Sequence, residues 1–302
     1  MDRFSGIITA LVTAFDSEGR VDVRAMKQSV RHQIGAGIAG FCALGGTGEP
    51  LSMSLDEQRA TIDAVLDANA GERPVIVGGL GGDIREVTAI ARHAHAGGAA
   101  ALMLIPPYFV NTRPRHTRTY FERIAEASPI PLVIYHGPGR SGVRMDAEEL
   151  CRIIEAIPSV VAVKETSGSI TLLLEAMQMT VRPVAWLQGF DELILPTLAA
   201  GGQGAIVSLG GLIPATLTEI CRLHSEGRMD EARELQLSIL PLCRHIYSEP
   251  NPGPLKLALR LAGRPSGRTR LPICDPEPET AVALEKMLPA LLGREEELRA
   301  RG

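Results

Sequence analysis

The chain has 302 residues, 45% of them apolar and only 4% aromatic, with a formal net charge of −4. The length allows one large domain or two ordinary ones, and Val, Leu, Ile and Ala must fill the core. No cluster of Lys and Arg interleaves with aromatics, so nucleic-acid binding has no support, and no stretch is long and apolar enough to span a membrane.

Apolar runs, caps and turn residues predict the elements in order. A strand over 6–15 leads through the turn Asp16-Ser17-Glu18-Gly19 to a helix capped by Asp22 and reaching about 36. A strand over 40–44 and a tight loop over 45–49 come before Ser54, which with Glu57 forms a capping-box pattern for a helix to about 69. The unit then repeats. Strand 74–77 is followed by a helix from Asp83 to about 96, strand 99–105 by helix 115–127, and strand 131–135 by a helix from Asp146 to about 157. Strand 160–164 and its helix, strand 184–187 with helix 191–200, and strand 204–207 with a helix to about 226 bring the count to eight pairs.

Strict alternation implies parallel strands with helical crossovers. Eight pairs over roughly 225 residues match a closed (β/α)₈ TIM barrel. A doubly wound open sheet is the alternative, and it would be expected to show one dominant phosphate loop. The candidate, Val77-Gly78-Gly79-Leu80-Gly81-Gly82, meets Ile84 where G-x-G-x-x-G needs its last glycine, and reads as a barrel loop. Stretches 230–247, 254–261 and 279–292 read as helices appended to the barrel. The expected organisation is a barrel over 1–226 and a C-terminal helical extension of the same domain over 227–302.

One lysine stands out. Val160-Val161-Ala162-Val163 reads as a strand buried on both faces, and Lys164 ends it where turn residues begin. A desolvated lysine at such a place can act as a nucleophile toward a carbonyl. The plain alternative is a strand end whose lysine reaches water. In closed barrels chemistry sits at the C-terminal strand ends, and Gly45 to Glu49, Tyr108, Tyr135, Arg140, Gly189, Ile206 and Ser208 fall there with Lys164. The five cysteines are scattered and free of C-x-x-C pairs, which fits reduced thiols in a cytoplasmic protein. His93 and His95 lie two apart on a predicted helix and share no face, so no metal site is read.

Several motifs in order then resemble the dihydrodipicolinate synthase and N-acetylneuraminate lyase family over almost the whole chain. They are Gly46-Thr47-Gly48-Glu49, the run from Tyr135 to Gly142, Val163-Lys164-Glu165-Thr166-Ser167-Gly168, and Gly189-Phe190-Asp191 leading to Gly204-Ala205-Ile206-Val207-Ser208. The tail Glu249-Pro250-Asn251-Pro252-Gly253-Pro254-Leu255-Lys256 resembles the synthase branch. The resemblance implies a (β/α)₈ barrel with a helical extension, a homotetramer built as a dimer of dimers, and no cofactor. It implies a Schiff base between Lys164 and pyruvate or another 2-oxo acid, with Tyr135 as the proton shuttle. It places the substrate carboxylate at Gly46 and Thr47, and a second substrate's carboxylate at Arg140. Gly189 and Ile206 complete the expected substrate-binding set. Glu49 is expected to cap or orient its loop, and His136 is assigned no role.

Two departures from the synthase pattern are visible. Gly46-Thr47 stands where the synthases carry two threonines, and Tyr108-Phe109 stands where they carry a second tyrosine reached from the neighbouring subunit. Both lost groups are hydroxyls of the family's proton relay. The Gly46 loop also resembles that of 5-dehydro-4-deoxyglucarate dehydratases. The implied activity is that of a 4-hydroxy-tetrahydrodipicolinate synthase, joining pyruvate to aspartate semialdehyde. The alternatives are an aldolase or dehydratase of a sugar-derived or hydroxyproline-derived 2-oxo acid, and a catalytically silent sensor of a small acid. Where lysine-sensitive synthases hold their effector, the matching positions are Leu55, Gln58, Gly82, Glu86 and Tyr108.

Overall fold

The computed structural model describes residues 2–110 and 112–300, so Met1, Asn111, Arg301 and Gly302 of the expected barrel and extension lie outside the described residues. Eight parallel strands close into a barrel in sequence order: β1 Gly6–Ala10, β2 Gly40–Ala43, β3 Val75–Gly79, β4 Ala101–Leu104, β5 Leu132–His136, β6 Val160–Glu165, β7 Ala185–Gln188 and β8 Gly204–Val207. The seam is the β1–β8 pairing, with Ile8 opposite Ile206.

The helices that follow the strands are α1 Val23–Ile34, α2 Leu55–Asn69, α3 Ile84–Ala96, α4 Pro114–Ala127, the short α5 Pro138–Ser141, α6 Ala147–Ala156, α7 Ile170–Met179, α8 Ile194–Ala199 and α9 Pro214–Ser225. Three more follow: α10 Met229–Ile246, α11 Gly253–Leu261 and α12 Pro278–Arg299. The predicted caps fix the entries. Asp22 accepts from Ala25 N, and Ser54 with Glu57 and Asp146 with Glu149 form reciprocal capping boxes.

The core has two layers because successive strand residues face opposite ways. Ile8, Cys42, Ile76, Met103, Val133 and Ile206 fill the barrel interior. Ile7, Phe41, Val77, Leu102, Ile134 and Val163 pack outward among the helices. Tyr135 shares the inward parity of Val133, and Lys164 that of Ala162.

Two boundaries differ from expectation by about five residues or more. The first strand stops at Ala10, not at 15. Its ladder to β2 ends with Ala10 opposite Cys42, and Phe15 instead bridges Val21 in antiparallel fashion across the Asp16–Gly19 turn. The last helix runs on through Gly293 to Arg299. Its final turns are held because buried Glu295 caps α9, accepting from Ala215 N at 2.7 Å and from Thr216 N and Oγ1 at 2.8 Å each. A helix N-terminus needs such acceptors for its free N–H groups, and that tertiary bond overrides the local stop signal.

Candidate active site

Lys164 and Tyr135 are register partners on β6 and β5. Each is only 6% exposed, and Lys164 Nζ lies 4.5 Å from the Tyr135 ring centroid. Two glycines make that packing possible. A Cβ on Gly137 would meet the Tyr135 ring at 2.7 Å, and one on Gly189 would meet Thr166 Oγ1 at 1.9 Å and Lys164 Cε at 3.0 Å. Gly189 therefore makes room for the lysine stem.

Opposite them, Gly46–Gly48 forms a short 3₁₀ turn after β2. Its own hydrogen bonds run from Gly48 N to Gly45 O and from Glu49 N to Gly46 O, so the leading N–H groups of Gly46 and Thr47 stay outside the turn's own pattern. Thr47 is buried, and its Oγ1 accepts from Asn251 Nδ2 at 3.0 Å. Glu49 sits in the left-handed region with φ of 56°, a conformation that costs a non-glycine residue energy. Long-range contacts hold it there. Lys256 Nζ approaches its carboxylate to 2.6 Å with both side chains buried, and Arg270 N donates to Oε2 at 2.9 Å. Burial pulls Lys256 down to about 8 while the Glu49 charge opposes that fall. The loop is thus bolted to the C-terminal extension, which is how Glu49 orients it.

A cavity of about 230 Å³ brings together Gly46, Thr47, Tyr135, Arg140, Lys164, Gly189 and Ile206, the full set expected from the sequence. A second cavity of about 320 Å³, with Leu51, Leu80, Ile105 and Ile273 in its walls, shares Gly46, Tyr135, Arg140 and Asn251 with the first. Arg140 stands exposed at their junction, and no carboxylate pairs with it among the described residues. His136 turns outward into a buried contact with Glu165, with Nδ1 3.0 Å from Oε1, while its Nε2 accepts from Met145 N. That acceptance places the ring proton on Nδ1.

Sequence reasoning assigned no role to four polar side chains lining this cavity. Asn251 tethers Thr47. Thr166 lines the cavity with a buried Oγ1 that has no hydrogen-bond partner among the described residues. Its signal was readable, since residues two apart on an extended strand share a face and Thr166 stands two beyond Lys164. Ser208 and Tyr247 also line the cavity, and behind them Asp191 is fully buried. The Tyr247 phenol donates to Asp191 Oδ2, and Ser208 Oγ lies 2.6 Å from the phenol oxygen. The sequence places Asp191 at the start of a helix, and no local pattern announces a phenol arriving from the end of α10.

The sequence model of the Dihydrodipicolinate synthetase family matches residues 3–291. A 4-hydroxy-tetrahydrodipicolinate synthase of Methanothrix thermoacetophila is 32% identical over 286 residues, covering 94% of this chain and 96% of that protein. One of Nitratidesulfovibrio vulgaris is 34% identical over 272 residues, covering 90% and 93%. The solved 4-hydroxy-tetrahydrodipicolinate synthase of Methylacidiphilum fumariolicum superposes with a TM-score of 0.92 at 26% identity, covering 98% of this chain and 99% of that one. With its closed barrel and near full-length match, the chain belongs to the dihydrodipicolinate synthetase family, a family of lyases.

Proposed function

We propose that Lys164 forms a Schiff base with pyruvate or a related 2-oxo acid. The observation that carries this reading is a buried lysine amine at a barrel strand's C-terminal end, 4.5 Å from a tyrosine ring, inside a cavity with carboxylate donors at its far wall. The amine adds to the ketone and releases water, leaving an iminium. The iminium nitrogen draws electrons, so the adjacent carbon loses a proton or breaks a bond. Tyr135, with its ring centroid 4.5 Å from the amine, suits the proton shuttle as the amine adds and water leaves. Thr47, with the leading N–H groups of its turn, suits the carboxylate. Arg140 offers a planar fork to the carboxylate of a second substrate.

The relatives' names favour joining pyruvate to aspartate semialdehyde. A second reading, a hydroxylated 2-oxo acid as substrate, is favoured by the partnerless hydroxyl of Thr166, which a substrate hydroxyl would satisfy. The experiment that separates them is a comparison of kcat/KM for pyruvate with aspartate semialdehyde against a panel of hydroxylated 2-oxo acids, with products identified. Faster turnover of any panel member supports the second reading; aspartate semialdehyde outrunning all of them supports the first.

We also propose that the chain works as a homotetramer in the cytoplasm. Leu51, Phe109 and Val110 are 69%, 95% and 63% exposed, apolar side chains that a second copy would cover, and the described cysteines form no disulfide.

A further inference from the structure

On the β7–β8 side of the cavity, Asp191, Ser208 and Tyr247 come from three separate elements and meet. Asp191 opens the 3₁₀ turn after β7, Ser208 follows β8, and Tyr247 caps α10. Tyr247 donates to Asp191 Oδ2, Ser208 Oγ lies 2.6 Å from the phenol oxygen, and Asp191 Oδ1 accepts from Leu209 N at 3.2 Å. Ser208 and Tyr247 line the Lys164 cavity while Asp191 lies behind them. A single file of groups therefore runs from a buried carboxyl, through a phenol, to a hydroxyl at the cavity wall.

Each hydroxyl carries one proton, and that fixes two arrangements. With Asp191 ionised, Tyr247 donates to it, Ser208 donates to Tyr247, and the free lone pairs of Ser208 face the cavity. With Asp191 protonated, it donates to Tyr247, Tyr247 donates to Ser208, and the Ser208 proton is free to face the cavity. The two arrangements differ by one proton and by the direction of two hydroxyls.

We propose that Ser208, Tyr247 and Asp191 form a proton relay serving the Lys164 cavity. This deepens the Schiff-base reading and rests on it. In the forward step the C–H bond beside the iminium carbon breaks. Ser208 Oγ takes that proton and passes its own to Tyr247, and Tyr247 passes its own to the Asp191 carboxylate. The C–H electron pair forms the enamine double bond, and the nitrogen loses its positive charge. In the reverse step the same proton count returns. The relay supplies hydroxyls on the β7–β8 wall in a chain that has glycine at 46 and phenylalanine at 109.

The electrostatics suit the role. Burial pushes the Asp191 carboxyl up to about 7; the Tyr247 hydrogen bond and the Leu209 N–H oppose that rise, the Glu192 charge adds to it, and Lys164 opposes it. Cys243 of α10 is the further titratable group coupled to it, and burial keeps that thiol well above its ordinary value. Both arrangements are therefore populated near neutral pH, where a proton relay works best.

The test is hydrogen–deuterium exchange at the pyruvate methyl in D₂O, followed by proton NMR, beside borohydride trapping of pyruvate on the protein. Forward abstraction needs ionised Asp191, so the wild-type exchange rate should rise with pH through about 7. Tyr247→Phe should lower the rate at least tenfold and remove that pH step, while borohydride still traps pyruvate on Lys164. Ser208→Ala should do the same, and serves should the first variant fold poorly by circular dichroism. Exchange at the wild-type rate and pH profile in a trapped variant overturns the relay alone. So does a wild type that is trapped but does not exchange. A wild type that borohydride fails to trap overturns the Schiff-base reading and the relay with it.

Discussion

On one side of Lys164 the cavity wall is Gly46, Thr47 and Asn251; on the other it is Ser208 and Tyr247, backed by Asp191. The first wall is open. A Cβ on Gly46 would meet nothing within 4 Å, and the wall leads into the second cavity. The second wall is enclosed and hydrogen-bonded through three elements. The first wall lacks the hydroxyls that the sequence departures subtract, and the second carries those of Ser208 and Tyr247. A motif read position by position reports only the wall that the motif occupies.

The largest expected effect of breaking this arrangement is at Tyr135, the register partner of Lys164. Tyr135→Phe should lower kcat/KM by about 10²–10⁴-fold, the usual span for acid–base help. A loss under about threefold in steady-state assays would move the shuttle role to another group.

The enclosed wall should declare itself in stability. The folded value of Asp191, about 7, lies above its ordinary 3.8, with burial as the main cause. Between those values the native state binds the extra proton, so stability falls as pH rises from about 4 to about 7. Asp191→Asn lacks that titration. The wild type should lose up to roughly 4 kcal/mol relative to the variant across that window. Parallel urea midpoints from pH 4 to pH 8 would show that Asp191 is not held that way.

The open wall can be refilled. A Cβ at Gly46 has open space, and Gly46→Thr combined with Phe109→Tyr should raise aspartate semialdehyde turnover at least about tenfold if that wall limits the synthase reaction. Robust wild-type turnover that the double substitution leaves unchanged would show that the second wall suffices.

The smallest expected response is to lysine. Leu55, Gln58, Gly82, Glu86 and Tyr108 do line one cavity, of about 220 Å³. The Gln58 amide is already spent on Pro50 O and Met53 O, and Leu55 and Gly82 offer no polar side chain. Two or three missing contacts at about 1 kcal/mol each weaken binding by more than tenfold. Rate assays should show no inhibition by sub-millimolar lysine, and a clear inhibition curve there would reverse this reading.

What the sequence made legible follows from distance along the chain. The barrel was readable because each strand and cap is local: Asp22, Ser54 and Asp146 sit within a few residues of the N–H groups they accept from. Lys164 was readable because a buried apolar run ends on it, and Tyr135 because it ends the neighbouring predicted strand. The Asp191–Tyr247 bond spans 56 positions and Asn251–Thr47 spans 204. Nothing in either local window encodes such a partner. The same holds for Glu295, whose grip on α9 carries α12 past Gly293.

The central claim is the nucleophile, and the most direct measurement is borohydride reduction of the protein with pyruvate followed by peptide mass mapping. The reduced adduct is expected on Lys164 in the wild type and on no residue in Lys164→Ala, a variant that should also lose turnover while keeping its far-ultraviolet circular dichroism. An adduct on another lysine, or none in the wild type, would contradict the account.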